Sequence, residues 1–581
     1  MKNTIESLPD HLRKYVVEQN YSRYTSEDQA VWRYIMKQLK SYLKIHAHSA
    51  YLDGLEKTGI TSEKIPEISE MDKKLKEFGW SAIPISGFIP PAAFMEFQSL
   101  GILPIASDIR TIDHIHYTPA PDIVHESAGH APILIDPAFS EYLRSYASVA
   151  KKAIFSCEDL ELYVAIRDLS DIKENPNSTD AEILEQEKRL QAISENMRYK
   201  SEAALLARMN WWTAEYGLIG PLSKPKIFGA GLLSSIGEAR SCLKSDVEKI
   251  PLTLKCIDFA YDITEKQPQL FVAETFTTLK DVLEDLANTM AFRKGGVFGL
   301  EKAKESKTEN TVQLGNGLQI SGVLDSFQLN AENEPTFIKF SGPVQLCFKD
   351  SQLENHGTAY HAQGYSTPLG PIKGLSKNTD SLTAEDLESV GIKNGKEVNL
   401  EFESGITLKG TVLSSLIHDQ KAILVSFENC SVKNKDEVLF DPSWGIFDMA
   451  FGESIPSVYG GPADRKAYGD TVDFEAKIIP NRQLSTEEKN LHQFYLDVRS
   501  LREDSANNDV KLNRLNQFVS DFKESYRGHW LLGIELLEIA YLVAAPENMI
   551  KNILSDLEQI KEDDPGMALY IEDGIRLANE H

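Results

Sequence analysis

The sequence predicts a multidomain protein in which a mainly α-helical region comes first, a β-rich domain follows, and a helical region completes the chain. Three observations support this order. The chain has 581 residues, which is too long for one ordinary domain. Apolar residues recur at helical spacing in the first half, alternate in the next part, and return to helical spacing near residue 484. Hydrophobic residues make up 42% of the chain, which is enough to build sizeable cores.

The first region is predicted to span residues 1–299. It contains a helix that starts at Thr25, because apolar residues recur at helical spacing after it. Between residues 79 and 132, short apolar runs broken by Gly and Pro predict loops around a site. Residues 158–205 are highly charged and helical in pattern, so we expect an exposed helical excursion there.

The β-rich domain, whose role the sequence does not indicate, is predicted over residues 312–480. A stretch rich in Lys and Glu at 300–311 predicts a linker before it. Apolar residues alternate on both sides of the Ser-Gly pair at 404–405, which predicts a hairpin. The likeness of GLQISGVL (317–324) to GITLKGTVL (405–413) suggests a duplicated small β unit.

The C-terminal helical region is predicted over residues 481–581. Ser485 and Glu488 form a capping-box pattern, and apolar residues recur behind them at helical spacing. We expect these helices to pack on one another or on a second subunit, so a homo-oligomer through the C-terminal helices is one expectation.

Composition excludes several classes of protein. The formal net charge is −26, so a nucleic acid partner is not expected, because phosphate binding needs a basic surface. The sequence contains no run of about 18 apolar residues, so a membrane span is not expected. The first residues lack the apolar core of a secretory signal. The five cysteines form no CxxC pair, which indicates neither a structural zinc site nor a disulfide framework. We therefore expect a cytoplasmic protein without membrane partners.

The segment PDIVHESAGHAPILIDPAF, residues 121–139, carries the candidate metal ligands His125 and His130. They are five residues apart, whereas a zincin spaces its histidines four apart on one helix face. In an ideal α-helix a spacing of five separates them by about 140°. We therefore expect one of them at a helix end or in the preceding loop, where Pro121 and Gly129 make a regular helix less favourable. Two histidines and a distant carboxylate are the ligands of facial-triad iron(II) sites, although composition alone does not choose the carboxylate.

Several segments resemble the tetrahydropterin-dependent aromatic amino acid hydroxylases. PDIVHESAGHAP is similar to their signature PDxxHExxGHxP, and WWTAEYGLI (211–219) is similar to the segment that carries their glutamate ligand. Three further blocks are similar in the same order: DIRTIDHIHYTPAPD (108–122), GAGLLSSIGE (229–238) and QPQLFVAETF (267–276). The resemblance runs from about residue 20 to 290 and implies a mainly α catalytic domain of this type, in a long bacterial form.

The resemblance implies an iron(II) site held by His125, His130 and Glu215. It also implies a tetrahydropterin cofactor, tetrahydrobiopterin or a related one, together with dioxygen and an aromatic amino acid as substrates. The expected reaction converts L-phenylalanine to L-tyrosine. Glu126 is implied as a catalytic residue near the pterin and a water, and Arg110 as the residue that grips the substrate carboxylate bidentately.

Further residues are implied to bind the substrates. Thr118 and Ser234 correspond to family positions near the polar end of the amino acid, and Pro121 and Trp211 are candidates to wall its ring. Phe94 is the candidate for stacking on the flat pterin.

Some alternatives stay open. Asn210 occupies a position where animal phenylalanine enzymes have tyrosine, so a tryptophan or tyrosine hydroxylase of the same family is possible. An alternative hypothesis assigns the chain to another functional class, in which the catalytic-like half regulates a C-terminal binding module. A 2-oxoglutarate oxygenase is disfavoured, because the usual HxD…H ligand order is absent. About 20 residues precede the resemblance, so the regulatory domain of animal members is not expected.

Overall fold

Helices dominate the first 300 residues, two antiparallel sheets follow, and helices return after residue 484. The computed structural model describes residues 1–85, 89–115, 121–174, 178–261, 266–469 and 484–579. No helix within these ranges combines the length and the apolar character needed to cross a membrane.

The first region contains sixteen α-helices among the described residues: α1 (Lys2–Glu6), α2 (Asp10–Arg13), α3 (Ser26–His46), α4 (Ala50–Lys57), α5 (Ile68–Leu75), α6 (Pro91–Ser99), α7 (Ala131–Ile133), α8 (Pro137–Ala150), α9 (Cys157–Glu174), α10 (Asp180–Asn196), α11 (Glu202–Asn210), α12 (Ala230–Ser234), α13 (Ile236–Ser241), α14 (Phe276–Ala287), α15 (Ala291–Lys294) and α16 (Gly296–Ser306). Two small sheets accompany them. Strands β1 (Ser81–Ile85) and β2 (Ile102–Ala106) are parallel, and the second sheet has the order β4-β3-β6-β5, from β3 (Leu218–Ile219), β4 (Lys226–Ile227), β5 (Glu248–Pro251) and β6 (Gln269–Ala273).

The later regions contain the remaining elements. The strands are β7 (Glu309–Gln313), β8 (Leu318–Leu329), β9 (Pro335–Phe348), β10 (Ser351–Gln352), β11 (Gly364–Pro368), β12 (Glu397–Glu401), β13 (Ile406–His418), β14 (Lys421–Asn434), β15 (Glu437–Phe440), β16 (Phe447–Ala450) and β17 (Ser457–Gly460). The helices are α17 (Ala384–Ser389), α18 (Arg465–Tyr468), α19 (Thr486–Glu503), α20 (Asn508–Asp521), α21 (Trp530–Leu542), α22 (Glu547–Asp563) and α23 (Ala568–Ala578). Single π-helical turns span His125–His130, Trp211–Glu215 and Phe522–Tyr526, and short 3-10 turns span Tyr21–Arg23, Lys76–Phe78, Ile112–His114, Leu254–Asp258, Thr379–Ser381, Pro442–Trp444 and Pro565–Met567.

The two larger sheets repeat one pattern of strands. In each, three strands form an antiparallel meander, β7-β8-β9 or β12-β13-β14, and two short strands then pair with the third, β10 and β11 or β15 and β16. The predicted hairpin at 404–405 joins β12 to β13 and is confirmed. Pairing with the third strand is interrupted around Gly322 in β8 and around Gly410 in β13, at the same distance from each turn. This shared register supports the duplication that the sequence suggests.

The predicted linker at 300–311 is not a linker. Helix α16 continues to Ser306 and β7 starts at Glu309. Leu300 and Ala303 are fully buried, since they face the core beneath the first large sheet. Glu301, Lys304 and Glu305 are exposed on the outer side of the same helix. A charged helix face therefore produced the linker pattern.

The C-terminal helices pack on the first region of the same chain. Helices α19, α21 and α23 contact α3, and their apolar side chains join those of α3 in one hydrophobic core. A buried ionic group crosses this contact: Arg33 of α3 forms ion pairs with Glu535 and, at 3.1 Å, with Glu538 of α21, and Arg502 of α19 also pairs with Glu535. A homo-oligomer through these helices stays a prediction.

Candidate active site

The two histidines of the PDxxHExxGHxP-like segment lie on one π-helical turn. This turn spans His125–His130 and continues into α7, and the amide of Ala131 donates to the carbonyl of Glu126, five residues back. A π-helical turn places residues five apart one above the other. Of the two expected placements, a helix end or the preceding loop, the structure agrees with the first, since His125 lies in the first turn of the helical segment that begins at residue 123. The extra residue in the turn brings both rings to the same face, with their centroids 4.9 Å apart.

Glu215 comes from the second π-helical turn, Trp211–Glu215, where the Tyr216 amide donates to the Trp211 carbonyl. Its Oε2 lies 3.3 Å from Nε2 of His125, and its Oε1 lies 3.2 Å from Nε2 of His130. The structure therefore brings the three predicted metal ligands together.

The spacing of these atoms suits one metal ion. The ligand atoms of His125, His130 and Glu215 all lie within 4.8 Å of one another. Two ligand atoms at about 2.1 Å from one ion are about 3.0 Å apart in octahedral geometry and about 3.4 Å apart in tetrahedral geometry. Two histidines and one carboxylate form the facial set that leaves further positions open at iron(II).

Ser234 sets the tautomer of His125. The Ser234 hydroxyl donates to the Ala230 carbonyl at 2.7 Å, so it accepts at its oxygen from Nδ1–H of His125, 3.1 Å away. Because Nδ1 carries the proton, Nε2 keeps its lone pair and faces Glu215. This is the arrangement that a metal-binding imidazole needs.

Close approach of α12 to both π-helical turns requires glycine. A Cβ on Gly129 would lie 2.6 Å from the carbonyl oxygen of Ala230, and one on Gly229 would lie 2.4 Å from that of Glu215. The GAGLLSSIGE segment can therefore pack backbone to backbone against the ligand turns, which places Ser234 beside His125.

The electrostatics of the site favour the charged forms of His130 and Glu215. Burial by itself lowers the pKa of His130, but the charge of Glu215 and their hydrogen bond override burial and raise it to about 9. Burial raises the pKa of Glu215, yet the two histidines hold it well below its usual range. Among the described residues, Nδ1 of His130 is buried without a hydrogen-bond partner.

Arg110 is held by a partner that the sequence reasoning missed. Its guanidinium donates to both carboxylate oxygens of Asp122, at 2.8 and 2.7 Å, and to the carbonyl of Ser234 at 3.2 Å. Asp122 also accepts from the backbone amide of His125. Burial raises the pKa of Asp122, but Arg110 overrides it and lowers the pKa below its usual range. The Pro-Asp pair that opens the signature was the available signal for this residue.

A cavity of about 550 Å³ opens in front of the candidate metal ligands. Its lining includes six predicted site residues: Arg110, Pro121, His125, Trp211, Glu215 and Ser234. Trp211 is fixed between two tyrosines, since it stacks on Tyr216 at 4.4 Å and on Tyr261 at 4.3 Å between ring centroids. This apolar wall stands beside the ligands.

Three predicted site residues, Phe94, Glu126 and Thr118, are not among the described residues that line the cavity. Phe94 packs with the N-terminal cluster that contains Leu8 and Leu12, whereas its neighbour Met95 lines the cavity. The structure does not bring Phe94 to the cavity wall. Glu126 is buried behind the histidines, and its Oε2 has no hydrogen-bond partner among the described residues. Thr118 lies outside the described residues.

The charged excursion closes one side of the cavity. Helix α10 has no buried residue, as an exposed excursion predicts, but α9 contributes Asp159, Leu160, Tyr163 and Ile166 to the lining. The expectation of an exposed excursion therefore holds for α10 but not for the face of α9 that lines the cavity. The many charged residues of the excursion obscure, in the sequence, the apolar face with which α9 covers the cavity.

The β-rich region also reaches this cavity. Gly460 of β17 and Arg465 of α18 belong to its lining. Arg465 donates to Oε2 of Glu96 and to the carbonyl of Lys151, each at 3.1 Å. Sequence reasoning missed both residues, because nothing in the pattern around them resembles a site.

The part of the chain that carries the candidate active site is similar to a known protein family. Residues 10–151 and 199–298 match the family described as biopterin-dependent aromatic amino acid hydroxylase. The two matched ranges together cover less than half of the 581 residues. The residues between the two matches, 152–198, include all of α9 and α10. The excursion that covers the cavity is thus an insertion relative to the hydroxylase family.

Several proteins named phenylalanine-4-hydroxylase are similar to this chain over its first half. Phenylalanine-4-hydroxylase of Mesorhizobium japonicum is 28% identical over 286 residues, which cover 48% of this chain and 87% of the relative. Phenylalanine-4-hydroxylase of Chromobacterium violaceum is 27% identical over 270 residues, which cover 46% of this chain and 76% of the relative.

A crystal structure of the Chromobacterium violaceum phenylalanine hydroxylase contains bound iron(III) and the oxidised cofactor 7,8-dihydrobiopterin. It is 24% identical to this chain, with a TM-score of 0.38, and covers 50% of this chain and 90% of its own.

Proposed function

We propose that the protein hydroxylates the ring of an aromatic amino acid and that L-phenylalanine, converted to L-tyrosine, is its substrate. One observation carries the proposal. His125, His130 and Glu215 converge at the wall of a mostly apolar cavity, within the part of the chain that matches the hydroxylase family. The relatives that cover this part are named phenylalanine-4-hydroxylase.

The donor set fits iron(II), and a cavity of about 550 Å³ lies beside it. Bound iron(II) and a reduced tetrahydropterin, tetrahydrobiopterin or a related one, would supply the electrons that cleave dioxygen. His125, His130 and Glu215 would hold the iron. Glu126, whose buried Oε2 lacks a partner among the described residues, is suited to a hydrogen bond with the pterin or a water.

The remaining residues position the substrate. Arg110 lines the cavity and is held in place by Asp122, so it is suited to bind the substrate carboxylate. Trp211 and Pro121 provide apolar surface for the ring. Helix α9 and Arg465 cover the cavity, which would keep bulk water from the reacting atoms.

The test is an assay of the full chain with iron(II), tetrahydrobiopterin and dioxygen. Phenylalanine, tyrosine and tryptophan are supplied separately, and the hydroxylated products and dioxygen uptake are measured. We expect tyrosine from phenylalanine at the highest rate. A preference for tryptophan or tyrosine would instead support a tryptophan or tyrosine hydroxylase of the same family.

The matched variant is Glu215→Gln, which keeps the size of the side chain and removes the charge that faces both histidines. We expect it to lose bound iron and product formation together. A Glu215→Gln protein that contains no iron and still hydroxylates phenylalanine at the wild-type rate would refute the proposal.

A further inference from the structure

A second group of metal-ligating side chains lies in the β-rich region, at the contact between the two repeats. Nδ1 of His356 is 3.2 Å from Nε2 of His361, and the ligand atoms of both rings and of Asp448 lie within 4.8 Å of one another. His361 and Asp448 are buried and His356 is partly exposed. None of these residues belongs to the part of the chain that matches the hydroxylase family.

The backbone holds both histidines in place. The segment between β10 and β11 carries them, and the amides of Leu346 and Val344 in β9 donate to the carbonyls of His356 and His361, at 2.9 and 3.2 Å. Because two strand positions fix the two ends of this segment, the rings face each other without any contribution from a ligand.

Asp448 comes from the second repeat. It lies in β16, opposite Ser426 of β14, and the Ser426 hydroxyl donates to its Oδ1 at 2.5 Å. Strand β16 contacts β11 of the first repeat, which brings the carboxylate to the histidines. Within the described ranges, no Lys or Arg forms an ion pair with Asp448, although only 4% of this residue is exposed. A buried carboxylate without a cationic partner is costly.

A hydrogen bond between the two imidazoles accounts for their distance. The hydroxyls of Ser426 and Tyr360 hydrogen-bond to Asp448, but neither supplies a positive charge that balances the carboxylate. One bound cation accounts for the distance as well. Two nitrogens at about 2.0–2.1 Å from a tetrahedral ion are about 3.3 Å apart, close to the distance between these rings. The cation also balances the charge of Asp448.

We propose that His356, His361 and Asp448 form a second metal site, which binds a divalent transition metal ion of the zinc class. Two imidazoles and one carboxylate are ligands that zinc accepts, and a water completes four-coordination on the exposed side of His356. The ion joins the histidines of the first repeat to the carboxylate of the second. Its role is to clamp the two β units together, apart from the hydroxylation reaction.

The test counts zinc ions on the full-length protein after chelator treatment and re-addition of zinc. Wild type is compared with Glu215→Ala, which disrupts the candidate catalytic site, with His361→Ala and Asp448→Asn, and with the pair Glu215→Ala/Asp448→Asn. His418→Ala is the matched control, because His418 is a histidine of the same region that stacks on Phe348 outside the cluster. Asp448→Asn keeps the size of the side chain, so its effect on binding is separable from a failure to fold.

We expect wild type and His418→Ala to retain two zinc ions per chain, each single-site variant to retain one, and the paired variant to retain none. Cobalt(II) added to Glu215→Ala should give the intense visible bands of a four-coordinate ion, and these should disappear in the paired variant. The proposal is wrong if Glu215→Ala retains no zinc, or if Asp448→Asn binds zinc as wild type does.

Discussion

Ser234 determines which nitrogen of His125 faces the candidate metal position. Its hydroxyl proton goes to the Ala230 carbonyl, so its oxygen accepts from Nδ1–H of His125. Without the hydroxyl, the imidazole loses the hydrogen bond that fixes its tautomer and its orientation. We expect Ser234→Ala to weaken iron(II) binding by about 10–100-fold, measured by titration of the metal-free protein.

Ser127→Ala is the control for this prediction, since Ser127 is buried in the same π-helical turn but contacts Met71 instead of a ligand. It should bind iron as wild type does. The sequence reasoning placed Ser234 at the substrate. A Ser234→Ala protein with normal iron affinity and a raised KM for phenylalanine would support that role instead.

Arg110 and Asp122 form a buried pair, so a substitution of Arg110 has two effects. Loss of the guanidinium removes a charged hydrogen bond to the substrate, and we expect Arg110→Ala to weaken amino acid binding by about 2–3 kcal/mol. It also leaves the Asp122 carboxylate buried without its partner, which lowers the free energy of unfolding by about 3–5 kcal/mol. Substrate calorimetry and denaturant unfolding separate the two effects.

Arg110→Lys distinguishes charge from geometry. It keeps a cation near Asp122 but loses the two parallel hydrogen bonds of the guanidinium. We expect most of the stability to return and the substrate affinity to stay low. Unchanged phenylalanine affinity in both variants would contradict the role of Arg110.

The sequence identified candidate site residues where they belong to a recognisable motif. The signature and the WWTAEYGLI segment supplied the three converging side chains. Spacing alone gave the wrong local geometry, because the estimate of 140° assumes 3.6 residues per turn, and a π-helical turn does not have that period. Asp122 was missed since its importance comes from Arg110, twelve residues earlier in the chain, and from a contact that only the fold creates.

At the scale of elements, α9 connects the insertion to the cavity. Leu160 and Tyr163 line the cavity, whereas no residue of α10 is buried. We expect Tyr163→Ala to enlarge the cavity opening and to raise the KM for phenylalanine or for the pterin several-fold, with a smaller change in kcat. Steady-state kinetics with each substrate varied in turn measure this.

Leu184→Ala is the matched control, because Leu184 lies on α10 and is half exposed. It should leave both KM values unchanged. If Tyr163→Ala and Leu184→Ala have the same kinetics as wild type, the insertion does not shape the site.

Local patterns correctly predicted two helix starts and failed where a linker and a helix share one pattern. The capping box of Ser485 and Glu488 was predicted and is present, as is the helix start at Thr25, because such caps depend only on nearby residues. The stretch at 300–311 has the charge of a linker, but α16 places those charges outward and buries Leu300. Only the sheet that covers the helix distinguishes the two cases.

At the scale of the whole molecule, a buried charge network joins the last helices to α3. Burial raises the pKa of Glu535, but Arg33 and Arg502 override it and lower the pKa to about 2, below the ordinary value of a free glutamate. A carboxyl whose pKa is lower in the folded state stabilises that state above its unfolded pKa. This contribution is lost as the pH falls from about 5 towards 2.

We therefore expect Glu535→Gln to lower the free energy of unfolding by about 3 kcal/mol at pH 7. The difference from wild type should shrink as the pH falls below about 5. Urea unfolding at several pH values measures it. Glu503→Gln is the control, since Glu503 is exposed and pairs with Arg499 on the surface, where such pairs contribute under about 1 kcal/mol. A difference that stays constant from pH 7 to pH 3 would contradict the assigned ionic role.

The contact between α3 and α21 has a consequence for synthesis. Arg33 and Glu535 are 502 positions apart in the chain. At roughly 5–20 residues per second, a ribosome completes α21 roughly 25–100 seconds after α3. During that interval the apolar face and the arginine of α3 have no native partner, so the nascent chain needs protection there. The catalytic half cannot finish its own core until the final helices leave the ribosome.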